Sequence, residues 1–235
     1  MNQWFLGIDT SSTELGIGLL LEGKPVAAFS RYLRNSHAEH ITDGISFMLK
    51  NNKIAPQDIT GAGITVGPGS FTGLRIGISF FKGLFLTRQI AVHPVSSLEA
   101  IAMGWHSHKA NITAALDARN DKVFAARFHR SENIIERLTE DVLMPATDFR
   151  ALIHDGDIVL TDTLGYARST VFSFLENRPE HFALERFSLQ RGLAAAKCAW
   201  QAQVDGMPAV DIQKLLPRYL QESAAHRRKT SQEKY

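Results

Sequence analysis

Thr65-Val66-Gly67-Pro68-Gly69-Ser70-Phe71-Thr72-Gly73-Leu74-Arg75-Ile76-Gly77 leads from the end of an apolar run, through a rigid turn, into a long helical pattern. Gly67 and Gly69 can take backbone angles closed to other residues, and Pro68 between them holds its φ at about −65°. Ser70 stands where it can cap the free N–H groups of the following helix. From Phe71 to Arg88 there is no proline, and apolar residues recur at 71, 74, 78, 81 and 85, one helical stripe. Ile76, Phe80 and Leu84 form a second stripe, which leaves a narrow polar ribbon of Arg75, Ser79 and Lys82. A helix apolar on two faces is either buried in its own domain or shared with another chain.

The turn admits two readings. Exposed N–H groups and the positive end of a helix attract phosphate. Alternatively, the glycines serve close packing. Gly73 and Gly77, one helical turn apart, favour packing because they let another element come close. The loop is not a Walker sequence, since it lacks the Gly-Lys-Ser/Thr ending.

The chain has 235 residues, 44% of them hydrophobic, which suits one large domain or two small ones with their own cores. The formal charge is +2, but residues 214–235 hold six Lys/Arg and two Asp/Glu, leaving the remainder at −2. That body lacks the general basic character of a chain that binds nucleic acid unaided. Cys198, the one cysteine, lies in the apolar run 193–200 and reads as a buried, inert thiol. No apolar stretch approaches the ~20 residues that span a bilayer, and the start lacks a signal-peptide pattern. The expectation is a soluble, cytoplasmic protein with no membrane partner.

Working outward, Trp4–Ile8 reads as a buried strand ended by the polar turn Asp9-Thr10-Ser11-Ser12-Thr13. Leu15–Leu21 and Val26–Arg34 are strands joined by Glu22-Gly23-Lys24. Ser36-His37-Ala38-Glu39 is a capping box opening a helix with Ile41, Ile45, Met48 and Leu49 on one face. Gly63–Val66 is a fourth strand, Ile90–Val92 a short fifth, and Ser96 with Glu99 starts a helix running to about Trp105. Beyond it, Ile112–Ala118 and Lys122–His129 form a hairpin through Arg119-Asn120-Asp121, and Ile134–Leu138 can add a strand. A short helix over 146–153, a strand over 157–161 and helices over 166–175 and 189–204 follow. Strands first and helices later in both halves suggests a duplicated fold.

These residues carry a resemblance. Phe5-Leu6-Gly7-Ile8-Asp9-Thr10-Ser11 resembles the first phosphate-loop strand of the actin and hexokinase superfold. Gly67 to Gly77 is very similar to the signature of the TsaB family, once called YeaZ. Leu116-Asp117-Ala118-Arg119 matches that family's next recurrent motif, and Pro217-Arg218-Tyr219-Leu220 resembles its C-terminal Pro-x-Tyr-Leu. The match runs through nearly the whole chain, strongest in the first hundred residues and loose after Phe128. It implies an α/β fold of two actin-like lobes, each a mixed sheet with flanking helices, the second reduced. The lobes are expected at 1–105 and 106–220, with a basic, disordered tail at 221–235. It also implies a role in making threonylcarbamoyladenosine on tRNA, as partner of a paralogous catalytic subunit, TsaD, with an ATPase, TsaE. There, threonylcarbamoyl-adenylate is the donor, the adenosine beside the anticodon is the acceptor, and ATP and magnesium are used by the complex.

The catalytic paralogue carries a metal-binding His-x-x-x-His on the helix after its own Gly-Pro-Gly turn, a spacing that sets both imidazoles on one face. Aligned on Val95, Leu98 and Glu99, those positions hold Ser97 and Ile101 here, and isoleucine cannot ligate a metal. The paralogue's Gly-Gly-His-Thr segment also has no counterpart near Asp117–Phe124. No catalytic residue and no metal site are therefore expected. His37 and His40 lack an evident third ligand, and His106 and His108 suit a helix C-terminus. In the superfold, an acidic residue at the end of the first strand orients the metal of a nucleotide. Asp9, Thr10, Ser11 and Ser12 are thus a weak, vestigial nucleotide site, with no cofactor bound tightly. Asp117 and Arg119 are a candidate ion pair across the cleft.

A partner role accounts for the doubly apolar helix. One stripe packs on the sheet, and the other joins the 36–50 helix in a bundle-like face for a partner. Phe47, Arg75, Phe80 and Leu84 are the residues expected there, meeting TsaD or, alone, a second copy. The function expected is a non-catalytic scaffold and activator that reaches tRNA through the complex. Two alternatives are an independent actin-like phosphotransferase, which needs a complete nucleotide site, and a metalloendopeptidase, which needs metal ligands and a general base. The basic tail reads first as a solubilising end, and second as a source of salt-sensitive contacts to tRNA phosphates.

Overall fold

Among the described residues, two five-stranded mixed sheets carry the fold. The computed structural model describes residues 2–32, 37–105, 110–132, 134–161 and 190–220. The first sheet contains β1 (Trp4–Asp9), β2 (Glu14–Leu21), β3 (Lys24–Tyr32), β4 (Ile59–Gly67) and β5 (Ala91–Ser96), in the order β3-β2-β1-β4-β5. The hairpin strands pair antiparallel, while β4 lies parallel to both β1 and β5. The second sheet contains β6 (Ala110–Arg119), β7 (Lys122–Ser131), β8 (Ile134–Arg137), β9 (Val142–Pro145) and β10 (Ile158–Thr161). Its order, β10-β6-β7-β8, repeats the first sheet with β6, β7, β8 and β10 in the places of β1, β2, β3 and β4. The pairing senses also repeat. The duplication suggested by the order of elements is real at the level of topology.

Among the described residues, five helices flank the sheets: α1 (His37–Asn51), α2 (Phe71–Phe85), α3 (Ser97–Gly104), α4 (Ala146–Leu152) and α5 (Arg191–Val204). Strand alternation assigns the faces. Leu6, Ile8, Leu15, Ile17, Leu19, Ala62 and Ile64 enter one core with Ile41, Ile45, Met48, Ile78, Phe81 and Phe85 of α1 and α2. The opposite face of β1, β2 and β4 presents Gly7, Gly16, Gly18 and Gly63 to α5, and a Cβ on Gly18 would lie 2.2 Å from the Leu193 Cα. The helix answers with Gly192, Ala195, Ala196 and Ala199, so backbone rests almost on backbone. Meanwhile α3 packs on β6, β7 and β8 and against α5. Each half of the chain therefore lends a helix to the space between the sheets.

Some boundaries differ from the pattern-based expectation. β5 extends through Pro94 to Ser96, which its edge position tolerates because proline has no N–H to give to a ladder. α2 ends at Phe85 rather than near Arg88. The third strand of the second sheet is split into β8 and β9 along one edge of β7. The interruption, Leu138–Asp141, folds back so that the Leu138 and Thr139 N–H groups both donate to the Arg127 carbonyl. The capping serine at 36, the helix expected over 166–175 and the tail at 221–235 lie outside the described residues.

Candidate functional site

Asp9 ends β1 on the face turned toward α5, and it meets a cation there. Its Oδ2 lies 2.8 Å from Nε of Arg191, the first residue of α5, in an ion pair whose side chains are 1% and 3% exposed. Oδ1 accepts the Ser11 N–H and hydroxyl, each at 2.7 Å, and the Thr65 hydroxyl at 3.1 Å. Arg191 Nη2 donates to Ser11 Oγ at 2.8 Å. Ser12 turns away, its Oγ accepting the Glu14 N–H at the start of β2. Thr10 is fully buried, with its carbonyl against Gly73 and its hydroxyl against Gly77. The structure thus brings Asp9, Ser11 and Thr65 together around a guanidinium supplied by the chain itself. Arg191 escaped the sequence reading, although one signal was available. An arginine opening an alanine-rich helix opposes the helix dipole, and so needs a nearby anion.

The Gly-Pro-Gly turn is held from two sides. Gly67 and Gly69 have φ of 128° and 156°, as only glycine takes readily. The Arg218 carbonyl lies 2.5 Å from where a Cβ on Gly67 would stand, and the Ser11 carbonyl 2.3 Å from one on Gly69. The Ser70 N–H donates to the Ser11 carbonyl at 2.6 Å, and Ser70 Oγ accepts the Gly73 N–H. Close packing, the second of the two readings, accounts for these glycines. Two of the amides that could meet an anion are already engaged.

At the paralogue's metal-ligand positions, Ser97 is fully buried and Ile101 belongs to the core between α3 and the second sheet. Immediately before Ser97, Ser96 caps α3 and also donates to Asp141 at 2.8 Å, and Arg137 bridges Asp141 and Glu99 at 2.7 and 3.1 Å. Cys198 is buried beside this group, and burial, with Glu99 adding to it, pushes its thiol well up from the ordinary range. The candidate Asp117–Arg119 ion pair is not what forms. The Asp117 carboxylate accepts the Arg119 backbone N–H at 2.6 Å, holding the hairpin turn in which Asn120 and Asp121 are left-handed. His40 lies 3.3 Å from the Arg31 guanidinium, a poor setting for a metal. The side chain of His37, and residues 106–109, lie outside the described residues. No group of three His, Cys, Asp or Glu suited to a metal occurs among the described residues, and no helix there is long and apolar enough to cross a membrane.

The α1–α2 layer exposes one large ring, and Leu216, Val204, Met207 and Ile134 are exposed on other parts of the molecule. Phe47 is 62% exposed, while Phe80 and Leu84 are half-buried against the core below. Arg75 is exposed, yet its guanidinium is engaged within the chain, 3.9 Å over the Phe71 ring and bonded through Nε to the Tyr219 hydroxyl at 2.9 Å.

A family model described as "TsaD: tRNA N6-adenosine threonylcarbamoyltransferase" matches residues 31–226. This chain belongs to that family, on its TsaB (YeaZ) branch. It is 31% identical over 152 residues to the tRNA threonylcarbamoyladenosine biosynthesis protein TsaB of Bacillus subtilis, covering 65% of this chain and 66% of the relative. It is 35% identical to the protein of the same name from Escherichia coli, over 60% of this chain and 62% of the relative. In each case the chain spans just under two thirds of the relative's length. The solved YeaZ from Pseudomonas aeruginosa superimposes with a TM-score of 0.76 at 23% identity, covering 93% of this chain and all of that one. The two-lobed, actin-like architecture implied by the TsaB/YeaZ resemblance is thus the observed one.

Proposed function

We propose that this chain is a non-catalytic scaffold and activator in the making of threonylcarbamoyladenosine on tRNA, and that it works by binding the catalytic paralogue TsaD. The observation that carries this reading is the Asp9–Arg191 pair. The carboxylate that would orient a nucleotide's metal in the superfold is instead neutralised by the chain's own guanidinium. A buried charge pair with three further hydrogen bonds on Asp9 Oδ1 is costly to open. An actin-like phosphotransferase would need that carboxylate free, and a metalloendopeptidase would need ligands where Ser97 and Ile101 stand. Both alternatives lose their central residues.

In this reading TsaE supplies ATPase function, ATP and magnesium are used by the assembled complex in the cytoplasm, and tRNA is reached through TsaD. The partner meets the α1–α2 layer at Phe47, Phe80 and Leu84. Without it, the same face pairs two copies of this chain. Phe47 is the cleanest probe because its exposed ring contributes little to the fold. Sedimentation of the chain with TsaD is expected to show a stable complex, and Phe47→Glu is expected to weaken it about tenfold or more while thermal stability stays put. Wild-type affinity in that variant, and in Phe47→Glu combined with Leu84→Ser, would remove this face from the account.

A further inference from the structure

The segment after α5 returns across the first sheet and ends on the turn that opens α2. The Val210 N–H donates to the Val92 carbonyl of β5, Leu215 enters the core beneath α1 and α2, and Lys82 of α2 donates to the Gln213 carbonyl. Arg218 then touches both halves of the molecule. Its N–H donates to the Val66 carbonyl at the end of β4 at 2.7 Å, and its guanidinium lies 3.3 Å from Glu140 and 3.8 Å from Asp141. Asp141, buried, is the same carboxylate that receives Ser96 and Arg137. Next in sequence, Tyr219 stacks on Phe71 with ring centres 4.5 Å apart and planes at 25°, and its hydroxyl accepts from Arg75.

Arg75 explains why such contacts are needed. The first turn of α2 has no acidic residue, and a cation near a helix N-terminus is repelled by the helix dipole. From the second turn of α2 the guanidinium reaches back over the first, where it meets the Phe71 face and the Tyr219 oxygen. We infer that Arg218 and Tyr219 form a latch through which the Leu138–Asp141 loop of the second half sets the first turn of α2. Its consequence for docking rests on the proposed function, because α2 is the helix offered to TsaD. The split of the third strand into β8 and β9 then has a purpose. It delivers Glu140 and Asp141 to the end of the first sheet, where Arg218 can read their position.

Amide hydrogen exchange on the full chain tests the latch without any partner. The reporters are the Gly73 and Leu74 amides, which bond to Ser70 Oγ and Ser70 O. Tyr219→Ala is expected to speed their exchange about tenfold or more, and Tyr219→Phe, which keeps the stack and loses the oxygen, about threefold to fivefold. Asp141→Asn, on the far side of Arg218, is expected to speed the same two amides, while β1 and β2 stay within about twofold of wild type. Unchanged Gly73 and Leu74 rates in Tyr219→Ala would overturn the latch. So would an Asp141→Asn effect confined to Arg137 and Ser96. If exchange accelerates as expected but TsaD binding is unaltered, the latch stands and the docking face is what fails.

Discussion

Replacing Arg191 with methionine is the sharpest perturbation of the ion pair. The side chain keeps its length and loses its charge, leaving Asp9 buried with Oδ2 facing no cation. Three donors remain on Oδ1, which places the cost at the lower end of the range for breaking a buried pair, about 3 kcal/mol. Asp9→Asn removes the carboxylate that Arg191 Nε faces, together with the charge on which three donors converge, and belongs at the upper end, about 5 kcal/mol. The double variant removes both charges, so it should cost no more than the worse single, a coupling of about 3 kcal/mol. In a chain of this size each kcal/mol lowers Tm by about 2–4 °C. The singles should therefore melt about 6–20 °C below wild type, with the double beside Asp9→Asn rather than far beneath it. Urea unfolding of the four proteins reads the cycle. Single effects that add to within about 0.5 kcal/mol would refute the claim that Asp9 is committed to Arg191.

Four further outcomes follow from the geometry. Gly18→Ala would drive a Cβ into the Leu193 backbone and should cost about 3 kcal/mol or more. Gly83→Ala, with nothing within 4 Å, should stabilise by about 0.5–1 kcal/mol; thermal melts compare the two. Cys198, its thiol raised by burial and Glu99, should resist a disulfide reagent at neutral pH in the native state and react in denaturant; stoichiometric native labelling would contradict its buried placement. Burial would raise the Asp157 carboxyl, but hydrogen bonds from Arg127, Thr113 and the His154 N–H, with the charge of Arg127, hold it below its ordinary 3.8. Its stabilising contribution is therefore full above about pH 4 and is lost as pH falls through the lowered value. Acid titration of stability should flatten in Asp157→Asn below that point.

Much of this architecture is legible in local pattern. The first two strands, the turn at Gly67–Gly69 and the two stripes of α2 follow from glycine placement and periodicity, and the third strand begins two residues earlier than expected, at Lys24. Other features depend on contacts between residues far apart in the chain. That Gly7, Gly16 and Gly18 exist to admit α5 cannot be read from β1 or β2, because the helix arrives some 170 residues later. For the same reason nothing local names Asp9 as the anion that Arg191, at the start of its helix, requires. Asp117 was readable as a motif residue, but its role was not. A backbone amide two residues away captures it before any distant cation can. Pro94 masked the length of β5, since the rule against proline in strands does not bind at a sheet edge. Arg75, expected at the partner face, is engaged within the chain by Phe71 and Tyr219, which no local pattern announces.

Threonylcarbamoyl transfer to tRNA in a reconstituted mixture tests the central claim most directly. The mixture would contain tRNA, ATP, threonine, bicarbonate, the enzyme that makes the adenylate, and TsaE, with TsaD and this chain each present or withheld. Modified tRNA is expected only when TsaD and this chain are both present, and Arg191→Met should affect the yield no more than its loss of folded protein does. Modified tRNA formed by this chain without TsaD would contradict the account, because it would place a working catalytic centre in a molecule whose Asp9 is taken by Arg191 and whose metal-ligand positions hold Ser97 and Ile101.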